Sequence, residues 1–170
     1  ALPILLERHS KNQTALFQIK EDQPKGKLLE EADLIEGSIL TLLKSFRCLC
    51  WHPSASLVID DVQVIVKMLK PIISNQVQSI SVSGIRTLRL IIINHPTFME
   101  KLVANQKELE KIGEALFLRR EEPLIELFKL VMHVTAMPWY PKMKNVFSQI
   151  LIASHFRIAA AKSTVGSKAQ

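Results

Sequence analysis

Ile91-Ile92-Ile93-Asn94-His95-Pro96 is an apolar run closed by a histidine and a proline, and the chain carries the same ending twice earlier. Cys48-Leu49-Cys50-Trp51-His52-Pro53 repeats it with the proline, and Leu5-Leu6-Glu7-Arg8-His9-Ser10 with a small residue in its place. His9 and His52 lie 43 residues apart, as do His52 and His95, and Pro53, Pro96 and Pro138 follow one another at 43 and then 42. Proline has no N–H to donate, and its ring pushes the preceding residue out of the helical region. Each ending therefore reads as a helix terminus. A period of about 40–47 residues in a chain without strand patterns belongs to stacked helical repeats. The expected fold is all-α, a solenoid that presents a long surface and no pocket. Such a surface points to binding and not to chemistry.

Outward from these breaks the apolar residues recur at three- and four-residue spacing. Leu34, Ile35, Ile39, Leu42, Leu43, Phe46, Leu49 and Cys50 predict a helix over about 33–51, with Asp33 as N-cap and Pro53 as the stop. Val62, Ile65, Val66, Leu69 and Ile73 predict a second helix opening at Asp60, with Pro71 in its final turn or at a bend. Val77, Ile80, Gly84, Ile85, Leu88, Ile91 and Ile92 predict a helix over about 76–94, followed by a short one through Val103 and another over about 106–118. Glu121-Glu122-Pro123 reads as a helix start, with acids favoured by the dipole and proline where its missing N–H costs nothing. Leu124, Leu127, Phe128, Val131 and Val134 carry that helix to about Met137, and a last one is expected over about 141–160. Residues 20–32 are the irregular part of the first cycle, because Pro24 and Gly26 sit among polar residues. The domain is thus expected over 1–160, with 161–170 a frayed tail.

The order of short, medium and long helix before a His-Pro break resembles the armadillo type of helical repeat, within the wider armadillo/HEAT group. Leu88 to Val103, with its late Asn94, is similar to an armadillo third helix running into the next first helix. Val64 to Ile73 is similar to a second helix. The resemblance covers roughly 1–155 and implies a right-handed superhelix of about three repeats whose third helices line a concave groove. It also implies a protein-interaction scaffold.

Composition narrows the class further. Apolar residues make up 48% of the 170 and charged residues 22%, with only 5 glycines, which suits a packed helical domain and not a disordered one. No apolar run reaches the roughly 20 residues that span a bilayer, so no membrane partner is expected. No secretion signal is evident either. The chain opens at Ala1 inside a repeat, which predicts a piece of a longer protein. Cys48 and Cys50 point to different helix faces and do not suit a mutual disulfide, so free thiols and a cytoplasmic or nuclear location are expected. The net charge of +6 predicts an acidic partner.

Several residues invite a chemical reading that the pattern disfavours. His9, His52 and His95 would stand on successive layers about 10 Å apart, too far to share a metal ion. They read instead as helix-end residues that bond terminal carbonyls. Cys48-Leu49-Cys50 lacks a second pair of ligands. Asp60-Asp61 and Glu121-Glu122 fall at helix starts, where capping and the dipole explain them. No phosphate loop, nucleophile elbow or metal-binding helix motif occurs. The expectation is a protein that is not an enzyme, with no catalytic residue, no metal, no cofactor and no small-molecule substrate.

The basic residues carry the functional expectation. Lys44 and Arg47 fall on the polar side of one long helix, Arg86 and Arg89 take the same places 42 residues on, and Lys129 and His133 lie on the corresponding helix of the next cycle. The resemblance places these six as a ladder along the groove, where an acidic segment of another protein would bind. Nucleic acid is the alternative partner. Trp139 and Tyr140, between Pro138 and Pro141, are a further candidate anchor.

Overall fold

The computed structural model describes residues 2–18, 26–55, 59–116, 124–138, 141–142 and 144–145. The regular structure among them is all helix, with no strand. The helices are α1 (Leu2–Gln18), α2 (Gly26–Leu49), α3 (Val62–Ile73), α4 (Gln78–Asn94), α5 (Pro96–Ala104), α6 (Gln106–Leu116) and α7 (Leu124–Thr135), with a single 3-10 turn at Pro53–Ala55.

Local chemistry sets most of the boundaries. Asp61 caps α3 by accepting a hydrogen bond from the Val64 N–H at 3.2 Å, and Ser74 ends it by donating to the Lys70 and Ile72 carbonyls. His95 closes α4 and opens α5, with Pro96 at the first helical position, so one His-Pro pair serves two helices. Asn105 does the same between α5 and α6: its N–H satisfies the Lys101 and Leu102 carbonyls while its side chain accepts from the Glu108 N–H.

The start of α2 departs from the expectation. The helix begins at Gly26, and Asp33 is an exposed interior residue, not its N-cap. Lys27 to Ala32 are all strong helix formers and carry the helix upstream of the expected cap, so part of the irregular stretch at 20–32 is regular. The break expected at His9-Ser10 is absent: α1 continues through both residues to Gln18, because Ser10, unlike the prolines at 53 and 96, keeps its N–H and does not restrict the residue before it. The ends of α3, α4 and α5 fall within a few residues of expectation. Of the expected helix at 141–160, only residues 141–142 and 144–145 are described, and those are helical.

The packing follows from the apolar faces. α2, α4 and α7 lie side by side in that order. α1, α3 and α6 form a second succession, with α1 against α2, α3 against α4, and α5 joining α4 to α6. Ile39, Leu43, Leu69, Ile72, Ile85, Leu88, Phe98, Leu109 and Leu130 belong to one continuous buried cluster. Each such side chain contributes about 1.5–3 kcal/mol relative to exposure. Gly84 permits the close crossing of α3 and α4, since a Cβ there would stand 2.8 Å from Ile72 Cγ2.

The direction of neighbouring helices can be read from their ends. Ser79 Oγ, in the first turn of α4, donates to Glu36, about midway along α2. Just past the two ends, His95 Nε2 donates to the Cys50 carbonyl at 2.8 Å. α2 and α4 therefore run parallel.

Candidate functional site

The six basic residues of the sequence pattern sit on α2, α4 and α7, the helices of one succession. Arg47 is half-buried and reaches from α2 onto α4, where its Nη1 donates to Ser83 Oγ at 2.6 Å, to the Ser83 carbonyl at 3.3 Å and to Thr87 Oγ1 at 3.4 Å. Burial and the nearby Arg86 charge both lower its pKa, so the two guanidiniums feel one another across the helix boundary. Lys44 is exposed, with no ion pair among the described residues.

One turn into the next helix, three cations meet one acid. Glu126, whose side chain is only 6% exposed, takes Arg86 at 3.2 Å and Lys129 at 3.0 Å on Oε1, with Arg89 at 3.7 Å from Oε2. Burial pushes the Glu126 carboxyl up, but the hydrogen bonds and charges of Lys129 and Arg86 outweigh it and hold the group below its ordinary value. Its Oε2 is buried and accepts no hydrogen bond from a described residue. The basic side chains are thus not loose on the surface. Arg47, Arg86, Arg89 and Lys129 are tied to the neighbouring helix or to one shared carboxylate. Three cations over a single acid, and Arg47 over neutral hydroxyls, still leave the face electropositive. His133 is exposed at the end of α7, and Trp139 and Tyr140 lie outside the described residues.

Sequence reasoning missed Glu126, Ser83 and Thr87. A signal existed: Glu126 lies 43 residues after Ser83, one period on, and each receives an arginine from the preceding helix. It was masked because a lone acid in the first turn of a helix has an ordinary explanation in the dipole.

The other candidates separate. His95 is buried and bonds a helix-end carbonyl as expected of a terminal histidine, though that of α2 and not of its own helix. His52 is exposed, and its Nδ1 accepts from the Ser54 N–H at 3.3 Å. His9 is buried; burial lowers its pKa, against the Glu36 charge, which raises it. It borders a cleft of about 420 Å³ between α1 and the end of α3, whose other polar walls are Ser10, Gln13, Thr14, Ser74, Asn75 and Gln76.

Of the carboxylate pair, Asp61 is the cap of α3, whereas Asp60 accepts from Thr97 Oγ1 at 2.8 Å and Lys101 at 2.9 Å and so ties the start of α3 to α5. These contacts lower its pKa. Glu121 and Glu122 lie outside the described residues. Cys48 is an exposed free thiol, and burial pushes the Cys50 thiol up to about 11.

Among the described residues no three His, Cys, Asp or Glu side chains are placed to hold a metal ion, and no helix is long and apolar enough to cross a membrane. Compared with known proteins, the chain matches no protein-family model, no curated protein and no solved structure.

Proposed function

We propose that the chain is an α-solenoid of about three armadillo-like repeats, and that α2, α4 and α7 line a basic groove that receives an acidic segment of another protein. The protein acts in this reading as a non-enzymatic scaffold inside the cell. The observation that carries it is the spacing of the polar ties between helices. Arg86 to Glu126, Ser79 to Glu36 and Lys70 to Glu114 are 40, 43 and 44 residues apart, close to one sequence period each, while Arg47 reaches back one to two turns to Ser83, 36 residues on. A stack in which each layer contacts the next produces such ties, and stacking carries the basic side chains onto one side of the array. An acidic segment brings carboxylates to that side, where partly desolvated guanidiniums form the stronger class of hydrogen bond.

The test uses an acidic peptide, duplex DNA and single-stranded DNA at matched salt. Lys44→Glu is the cleanest variant, because Lys44 is exposed and carries no described ion pair. It should weaken the acidic peptide severalfold, and Arg86→Gln should weaken it by about tenfold, the size of one charge-assisted contact. Reversing Arg86 outright would set a second acid against Glu126 and mix stability into the result. DNA binding stronger than peptide binding, with a steep salt dependence, would assign the groove to nucleic acid. Unchanged binding of every ligand in both variants would remove the groove from consideration.

A further inference from the structure

The two joints between α2, α4 and α7 are built differently. At the second, Arg86 and Arg89 of α4 meet a buried carboxylate of α7, Glu126. At the first, Arg47 of α2 meets Ser83, which lies 43 residues before Glu126. Ser83 and Thr87 are neutral. Arg47 therefore has hydrogen bonds but no counter-ion, and no described acid pairs with it.

A half-buried guanidinium in that state carries an unbalanced charge. Partial removal from water disfavours the charged form, and the like charge of Arg86 adds to the effect. Hydroxyl acceptors satisfy donors without supplying the missing negative charge. The contacts of Arg47 all run through Nη1, so Nε and Nη2 retain donors for another acceptor. Arg86 bonds Glu126 through Nη2 and is 53% exposed, so it too has donors to spare. Lys44, one turn before Arg47 on α2, is exposed and without an ion pair among the described residues.

The chemistry of the anion that suits this place follows from the donors. A carboxylate brings one charge and two coplanar oxygens, which match the fork of a single guanidinium. A phosphate monoester brings about two charges and three acceptor oxygens, so it can take donors from two helices at once. Two guanidiniums that repel one another are stabilised most by the dianion. The backbone of a nucleic acid would need a row of such places, and Glu126 already fills the next one.

We propose that the α2–α4 joint is a phosphate site, and that the acidic segment received by the groove carries a phosphorylated serine or threonine there. Arg47 and Arg86 donate to the phosphate from neighbouring helices, and Lys44 adds its charge at the rim. The proposal rests on the basic groove proposed above and names the group which that groove reads.

The test is binding of the full chain to two acidic peptides of one sequence at matched salt. One has a central phosphoserine, and the other has two glutamates in its place, so that the net charges agree. The phosphopeptide should bind about tenfold or more tightly than its charge-matched control, the size of one charge-assisted contact. Arg47→Gln should remove that preference. Ser83→Glu should remove it too, by giving Arg47 the counter-ion that Glu126 supplies on α7. Lys44→Gln, at an exposed position where the fold is not at stake, should reduce the preference by about twofold, the worth of an exposed ion pair. Thermal melts show which variants remain folded. Equal binding of the two peptides by the parent would overturn the phosphate site and leave the groove standing. A preference unchanged in every folded variant would also overturn it. Single-stranded DNA that binds more tightly than the phosphopeptide would assign the donors to nucleic acid and overturn the phosphorylated segment. Absence of binding by both peptides up to about 1 mM would overturn groove and site together.

Discussion

Glu126 illustrates how one residue can organise a surface. It is a buried acid whose three cationic neighbours are each at least a quarter exposed, with Arg86 53%, Arg89 28% and Lys129 51% open to solvent. Much of the Coulomb gain is therefore screened, and the hydrogen bonds to a charged acceptor supply the rest. Replacing it by glutamine keeps the shape and removes the charge, and Glu126→Gln should cost about 1–2 kcal/mol at neutral pH, read from urea denaturation midpoints. The pH dependence has a definite sign. The folded pKa of Glu126 lies below its ordinary value of 4.5, so its contribution is complete above pH 4.5 and is lost as pH falls through the lower, folded value. The variant should show a shallower loss of stability in that acid range. Equal slopes for the two proteins would mean that the carboxyl is not held ionised by its neighbours.

At the scale of the helix, the α3–α4 crossing leaves no room for a side chain at position 84. A methyl group at position 84 would press on Ile72 Cγ2 at 2.8 Å and on the Ile73 backbone nitrogen at 3.2 Å, and backbone cannot swing aside as a flexible side chain can. Gly84→Ala should therefore destabilise the protein by about 1–3 kcal/mol, even though alanine is the better helix former by about 1 kcal/mol. A thermal midpoint at or above that of the parent would show that α3 yields easily. The helices themselves were largely legible in the sequence. His95-Pro96 announces a break because proline chemistry is local, and the apolar spacing of α3 and α4 is local too. The start of α2 was not legible, because Gly26 carries no capping side chain and the nearby Pro24 reads as loop. The basic positions on three helices were legible as a pattern in the period. Their partners were not: the acceptors of Arg47 and Arg86 lie 36 to 40 residues away, and only packing brings them together.

Across the whole molecule, α4 is the helix on which both α2 and α7 lean, and Arg47 is the side chain that fastens the first of those joints. Its coupling can be isolated. Arg47→Ala and Ser83→Ala should interact by about 0.5–1.5 kcal/mol in a double-mutant cycle. Arg47→Ala and Lys70→Ala, which share no partner, should add to within about 0.5 kcal/mol. Additivity in the first pair would mean that Arg47 and Ser83 add nothing to the joint beyond its other contacts. The spacing of these joints also bears on how the chain finds its fold. The ties between α2 and α4 and between α4 and α7 close loops of 36 to 45 residues, so the entropy of closing one differs from that of another by only about 0.2 kcal/mol. The hydrogen-bonded ties named above therefore differ little in the cost of closing them. In the repeat arrangement proposed above, folding begins at more than one place and spreads outward, and its rate should follow the difficulty of forming a single layer, not the length of the chain.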